Sequence, residues 1–187
     1  TAPCELEGMS NFWGAVQSFQ TTFFTLSHLY FFTKTSLYFI SLYICEHCLK
    51  MSEAIQNRKI KFALVGCGRI SNNHFGSFEV LQEDCELVAV CDTDPVALEA
   101  AVKRTGAKGY ACYTDMLAET DADVIVITTP SGLHPEQAVE ALEAGFHVVT
   151  EKPMATCFTD GELMVQAADK AGKRLFVVKQ NRLNATL

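Results

Sequence analysis

Ile60-Lys61-Phe62-Ala63-Leu64-Val65-Gly66-Cys67-Gly68-Arg69-Ile70-Ser71 runs from a short apolar segment directly into a glycine-rich turn. A short apolar run bounded by glycine is the pattern of a buried parallel strand. Beyond the turn, Ile70, His74, Phe78 and Leu81 recur at helical spacing. Strand, glycine turn and helix in that order make a cradle for a pyrophosphate. Gly66 permits the tight turn and Gly68 lets a phosphate approach the backbone. Ser71 stands where the fingerprint has a third glycine and is small enough for close helix–strand packing. Arg69 and Ile70, at the start of the helix, are counted with the two glycines as cofactor-binding residues.

The same rhythm continues downstream. Leu87–Cys91 reads as a second buried strand, and Asp94-Pro95 supplies an N-cap and a first-turn proline for a helix stopped by Gly106. Tyr110–Tyr113 reads as a short third strand, followed by a short helix near Asp115–Glu119. Val124–Thr128 is a fourth strand, His134-Pro135 opens a helix closed by Gly145, and His147–Thr150 is a fifth strand. Thr159 and Glu162 have capping-box spacing at the head of a helix that ends at Gly172, and Leu175–Lys179 is a sixth strand. Strands alternating with helices predict an α/β fold, a doubly wound parallel sheet covered on both faces.

Ligands of such folds lie beyond the carboxyl ends of the strands, so the residues there are the candidates. Asp92 ends the second strand. A carboxylate at that position accepts hydrogen bonds from both adenosine-ribose hydroxyls and repels a 2′-phosphate, which favours NAD over NADP. Asp92 could instead cap the next turn, although Asp94 is the better capping candidate. Thr128-Thr129-Pro130-Ser131-Gly132-Leu133-His134 follows the fourth strand and is placed to pass over the cofactor. His134 reads either as a site residue or as a helix-start residue. Glu151-Lys152-Pro153 follows the fifth strand. A lysine at this edge can bind a substrate hydroxyl and stabilise its oxygen as hydride departs.

In order and spacing, Gly66–Ser71, Asp92, Thr129–His134 and Glu151–Pro153 resemble the glucose–fructose oxidoreductase/inositol dehydrogenase (Gfo/Idh/MocA) family. The resemblance covers nearly all of residues 59–187 and none of 1–50. It implies an NAD-dependent oxidoreductase acting on a secondary alcohol of a sugar, cyclitol or nucleotide sugar, with Lys152 as the active-site lysine near the nicotinamide. It also implies that Glu151 and the 129–134 loop, with Thr129, Pro130, Ser131, Leu133 and His134, line the cofactor site. Val178-Lys179-Gln180-Asn181-Arg182 is similar to the nucleotide-sugar branch, and Gln180 is included among the cofactor-binding residues on that ground. Family members carry a second domain that binds substrate, forms homo-oligomers and supplies a histidine as proton acceptor. The chain stops before it, so residues 51–187 are expected to be a dinucleotide-binding domain truncated at its C-terminus and inactive alone. The competing reading is a non-catalytic NAD-binding fragment or sensor.

Residues 1–50 have a different composition. They hold seven Phe, three Tyr and the single Trp, but only five charged residues. Phe23–Cys45 is long enough to span a bilayer, yet Lys34 lies at its centre, at a cost of about 2.5–3.5 kcal/mol on insertion scales. With Met51-Ser52-Glu53 reading as a native start, residues 1–50 are expected to be a non-domain extension, translated upstream sequence, with a membrane anchor as the weaker alternative.

The formal charge of −7 and the absence of a basic stripe argue against nucleic acid as a partner. Eight cysteines, several inside apolar runs, read as small buried hydrophobes of a reducing cytoplasm. Cys45-Glu46-His47-Cys48 lacks a second ligand pair at a suitable spacing, so no metal is expected.

Overall fold

A computed structural model describes residue 55 and residues 57–179. The expectations for residues 1–50, for the cysteines at 45 and 48 and for Gln180 lie outside the described residues. Six strands, β1 (Ile60–Val65), β2 (Cys85–Cys91), β3 (Lys108–Tyr110), β4 (Val124–Ile127), β5 (His147–Thr150) and β6 (Leu175–Val177), form one sheet. Their order is β3-β2-β1-β4-β5-β6, and every neighbouring pair is parallel. Five helices connect them: α1 (Ser71–Val80), α2 (Pro95–Thr105), α3 (Tyr113–Glu119), α4 (His134–Glu143) and α5 (Phe158–Ala171). The order reverses direction between β1 and β4, the doubly wound arrangement expected from the sequence.

Successive side chains of a strand point to opposite faces, and that alternation divides the core in two. Ala63, Val65, Ile125 and Ile127 face a layer built with Met116 of α3, Leu142 of α4 and Met164 of α5. Phe62, Leu64, Val124 and Val126 face the other layer with Phe75 and Phe78 of α1 and Ala101 of α2. A central strand therefore meets apolar layers on both faces, which is why Phe62–Val65 of β1 and Val124–Ile127 of β4 read as continuous apolar runs.

Several boundaries differ from the sequence reading. The third strand is Lys108–Tyr110, not 110–113. It pairs with Ala89–Cys91, and the Asp92 N–H to Tyr110 C=O bond is the last rung, so β2 offers no partner further on. Tyr113 instead starts α3, where its half-buried phenol donates to the Gln137 carbonyl at 2.7 Å. β2 begins at Cys85, two residues before the expected Leu87, because Ile60 and Lys61 at the head of β1 pair with Cys85 and Glu86. The capping box does not form. α5 starts at Phe158, before Thr159, and its N-cap, Cys157, makes no side-chain capping bond. β6 ends at Val177.

Asp94 does cap α2, its Oδ1 accepting from the Val96 N–H at 2.9 Å, with Gly106 as the left-handed C-cap. Asp94→Ala should therefore lower unfolding free energy by about 1 kcal/mol, read by urea denaturation, because one orphan N–H of the first turn loses its partner. An unchanged midpoint would count against the cap.

Candidate functional site

Four segments meet at the carboxyl edge of four neighbouring strands. The glycine turn follows β1, Asp92 follows β2, the 128–134 loop follows β4, and Glu151-Lys152-Pro153 follows β5. The crevice between β1 and β4 lies at the switch point, where dinucleotides bind in such folds.

The glycine turn is shaped from both sides. Gly66 has φ +94°, and a Cβ there would stand 2.7 Å from the Thr129 nitrogen. Its lack of a side chain thus serves both the turn and the approach of the 128–129 backbone. Thr128 Oγ1 donates to the carbonyls of Val65 at 2.9 Å and Gly66 at 2.6 Å, tying the two loops together. A Cβ on Gly68 would meet nothing within 4 Å, so the space above that residue is open. Ser71 is fully buried and its Oγ donates to the Gly68 carbonyl at 2.6 Å. No side chain caps the N-terminus of α1, which leaves that positive helix end available to an anion. Arg69 is exposed and Ile70 half-buried at this entrance. The turn fits the pyrophosphate of a dinucleotide.

Asp92 Oδ2 accepts the Cys67 N–H at 2.6 Å, and Oδ1 accepts the Asp94 N–H at 2.8 Å. The carboxylate is half-buried at the end of β2, where an adenosine ribose fits, and each oxygen has a further lone pair for a hydroxyl. Cys67 is no nucleophile: burial, with the neighbouring Asp92 charge, pushes its thiol up to about 12. Burial likewise raises Cys85 and Cys91 to about 11, which fits small hydrophobes. Cys112 and Cys157 are exposed, unlike that expectation.

In the loop after β4, Thr129 Oγ1 donates to Gln137 Oε1 at 2.6 Å. Pro130 precedes a single 3-10 turn, Ser131–Leu133, with Leu133 exposed. His134 is 1% exposed. Its Nε2 stands 2.8 Å from the Thr129 carbonyl oxygen and its Nδ1 2.9 Å from that of Pro153. The sequence left His134 open as site residue or helix start. It starts α4 and also joins the two loops.

Glu151 is buried, and its Oε1 lies 2.9 Å from Nε2 of His74, itself buried on α1. Burial opposes the carboxylate charge, but the His74 hydrogen bond, the His74 charge and the Lys152 N–H outweigh it and hold the carboxyl below its ordinary value. The Lys152 side chain is exposed and makes no side-chain hydrogen bond among the described residues. The Lys152–Pro153 peptide is cis.

Sequence reasoning placed Thr128 in the loop over the cofactor and His74 on the helix after the turn, but it missed Gln137 and did not foresee the contacts that His74 and Thr128 make. One signal for His74 was available: a polar residue on the inward, apolar face of α1. Among the described residues no group of His, Cys, Asp and Glu is placed to hold a metal ion, and no helix is long and apolar enough to cross a membrane.

Comparison with known proteins agrees with this geometry. Residues 60–179 match the family described as an oxidoreductase family with an NAD-binding Rossmann fold. The inositol 2-dehydrogenase of Salmonella paratyphi B is 34% identical over 118 residues, 62% of this chain and 35% of that protein. The WlbA dehydrogenase of Chromobacterium violaceum, solved with NADH and UDP-GlcNAcA, is 68% identical with a TM-score of 0.70, over 71% of this chain and 39% of that one. Its counterpart from Bordetella pertussis, solved with the same two ligands, is 59% identical with a TM-score of 0.70, over 71% of this chain and 40% of that one. The chain thus spans well under half the length of these relatives. With the matched region running from the first residue of β1 to just past β6, the chain belongs to the Gfo/Idh/MocA family of oxidoreductases, whose NAD-binding domain has the Rossmann fold.

Proposed function

We propose that residues 51–187 form the N-terminal, NAD-binding domain of a dehydrogenase that oxidises a secondary alcohol of a nucleotide sugar. The observation that carries the cofactor half is the Asp92 carboxylate at the end of β2, beside an open glycine turn. The nucleotide-sugar preference is supported by identities of 68% and 59% to dehydrogenases solved with UDP-GlcNAcA, against 34% to an inositol dehydrogenase.

In this reading the backbone of Gly66, Gly68, Arg69 and Ile70 holds the pyrophosphate, and Asp92 accepts from the ribose hydroxyls. Thr129, Pro130, Ser131, Leu133 and His134 form the loop beside the cofactor. Glu151 and Lys152 stand at the nicotinamide end. A bound NAD would supply the hydride acceptor. Lys152 donates a hydrogen bond to the reacting oxygen and stabilises the negative charge that grows there as the hydroxyl proton passes to a general base and the hydride leaves the carbon.

Fluorescence titration of the 187-residue chain tests the cofactor assignment. NADH should bind more tightly than NADPH by at least about tenfold, because the Asp92 charge meets the 2′-phosphate. Asp92→Asn, which keeps a carbonyl acceptor and gives up the charge, should narrow that ratio. Equal or tighter NADPH binding by the wild type overturns the assignment.

A further inference from the structure

Lys152 lies between two residues that buried histidines hold in place. On one side, Glu151 is gripped by His74 of α1 at 2.9 Å. On the other, the Pro153 carbonyl meets Nδ1 of His134, the first residue of α4, at 2.9 Å. The two histidines are 5% and 1% exposed. Both belong to structures that also shape the crevice: α1 begins at the glycine turn, and His134 Nε2 simultaneously meets the Thr129 carbonyl at 2.8 Å. The turn that carries the lysine is therefore fastened to the phosphate helix through one residue and to the loop after β4 through another. The lysine between them is exposed.

We propose that His74 and His134 are positioning residues that fix the 151–153 turn and so set where the Lys152 ammonium stands beside the nicotinamide. The proposal rests on the reading of Lys152 given under Proposed function. Neither histidine is a proton acceptor for substrate: both are buried against protein atoms, and both nitrogens of His134 are occupied by carbonyl oxygens. Their effect passes through the turn. It bears on the half of the cofactor that meets Lys152 and spares the half that meets Gly68 and Asp92.

ADP-ribose, which has the adenosine, pyrophosphate and second ribose but no nicotinamide, separates the two halves. NADH and ADP-ribose are titrated against the 187-residue chain and its His74→Ala, His74→Gln and His134→Ala variants. The Lys152 amine is followed in parallel by NMR after 13C reductive methylation, its resonance identified by its loss in Lys152→Arg. In the wild type, NADH should shift the Lys152 resonance. In both alanine variants that response should be lost and the NADH dissociation constant should rise about tenfold, the effect of a hydrogen bond to a charged or buried group. In His74→Ala, ADP-ribose binding should stay within about twofold, since its contacts lie elsewhere; in His134→Ala, whose loop stands beside the cofactor, its loss should be smaller than the loss of NADH binding. His74→Gln, whose amide can donate to Glu151, should restore the response. If His74→Ala fails to fold, Glu151→Ala takes its place, and if His134→Ala fails to fold, His134→Leu does, with the same outcomes expected.

An unchanged Lys152 response in the variants overturns the proposal. So does a matching loss of ADP-ribose binding, which would mean that the histidines support the whole domain and not the turn. A wild type that binds neither ligand overturns the cofactor reading, and this inference with it.

Discussion

Gly66→Ala should lower the unfolding free energy by about 2–5 kcal/mol, combining a left-handed backbone penalty with overpacking. Three backbone atoms crowd the added methyl: the Thr129 nitrogen at 2.7 Å, the Thr128 carbonyl carbon at 2.8 Å and the Thr129 Cα at 2.9 Å. Backbone cannot rotate away as a side chain can. Either the turn or the strand-end loop has to move, and moving them breaks the Thr128 bonds to Val65 and Gly66. The loss is a large part of a typical domain's stability of about 5–15 kcal/mol. Gly68→Ala is the matched control. Its methyl meets nothing within 4 Å, so its urea midpoint should stay near that of the wild type while its NADH affinity falls. Equal midpoints for the wild type and Gly66→Ala would overturn the account of the close approach.

Acidification should weaken the fold through His147. This residue is 6% exposed on β5, and its Nδ1 accepts the Arg174 N–H at 3.0 Å. Burial, followed by the charges of Lys173 and Arg174, lowers its pKa from 6.5 to about 4, with Asp123 opposing. The folded value lies below the unfolded one, so the unfolded chain takes up the proton first. The contribution is fully present above pH 6.5 and is lost as the pH falls from 6.5 to about 4. At about 1.4 kcal/mol per unit, the loss reaches about 3 kcal/mol by pH 4. Carboxylates with depressed values, such as Glu119 and Asp121, lose their own contributions only as the pH nears the ordinary carboxylate range and below. Urea unfolding between pH 7 and 4.5, on the wild type and on His147→Asn, isolates the histidine. Asparagine can accept the same N–H without titrating, so the variant should hold its stability through the range in which the wild type declines. Parallel declines would overturn the assignment.

The sequence was most legible where the cause of structure is local. The glycine turn announces itself because turn, strand end and helix start are contiguous from Ile60 to Ser71. Asp94-Pro95 specifies its own helix start in the same way. Boundaries that depend on a partner were misread. Nothing within Tyr110–Tyr113 says that β2 stops offering partners after Cys91. Thr159 and Glu162 have the right spacing, yet α5 begins ahead of them. The site divides along the same line. The positions of Gly66, Asp92 and Lys152 at strand ends follow from the βα rhythm. The contacts that organise them span large separations: 77 residues from His74 to Glu151, 62 from Thr128 to Gly66 and 19 from His134 to Pro153. A single sequence carries no local sign of such pairings.

Asp92 has a consequence for anyone redesigning which dinucleotide this domain accepts. One of its oxygens is committed to the Cys67 N–H in the middle of the glycine turn, the other to the Asp94 N–H at the head of α2. A substitution that makes room for a 2′-phosphate by removing the carboxylate also releases both N–H groups, and with them the shape of the turn that grips the pyrophosphate. Under the proposed cofactor reading, selectivity and grip are thus vested in one side chain. A variant converted at position 92 alone would trade discrimination for looser binding of either dinucleotide. A working conversion needs a second residue to take over the Cys67 N–H while a new cation meets the phosphate.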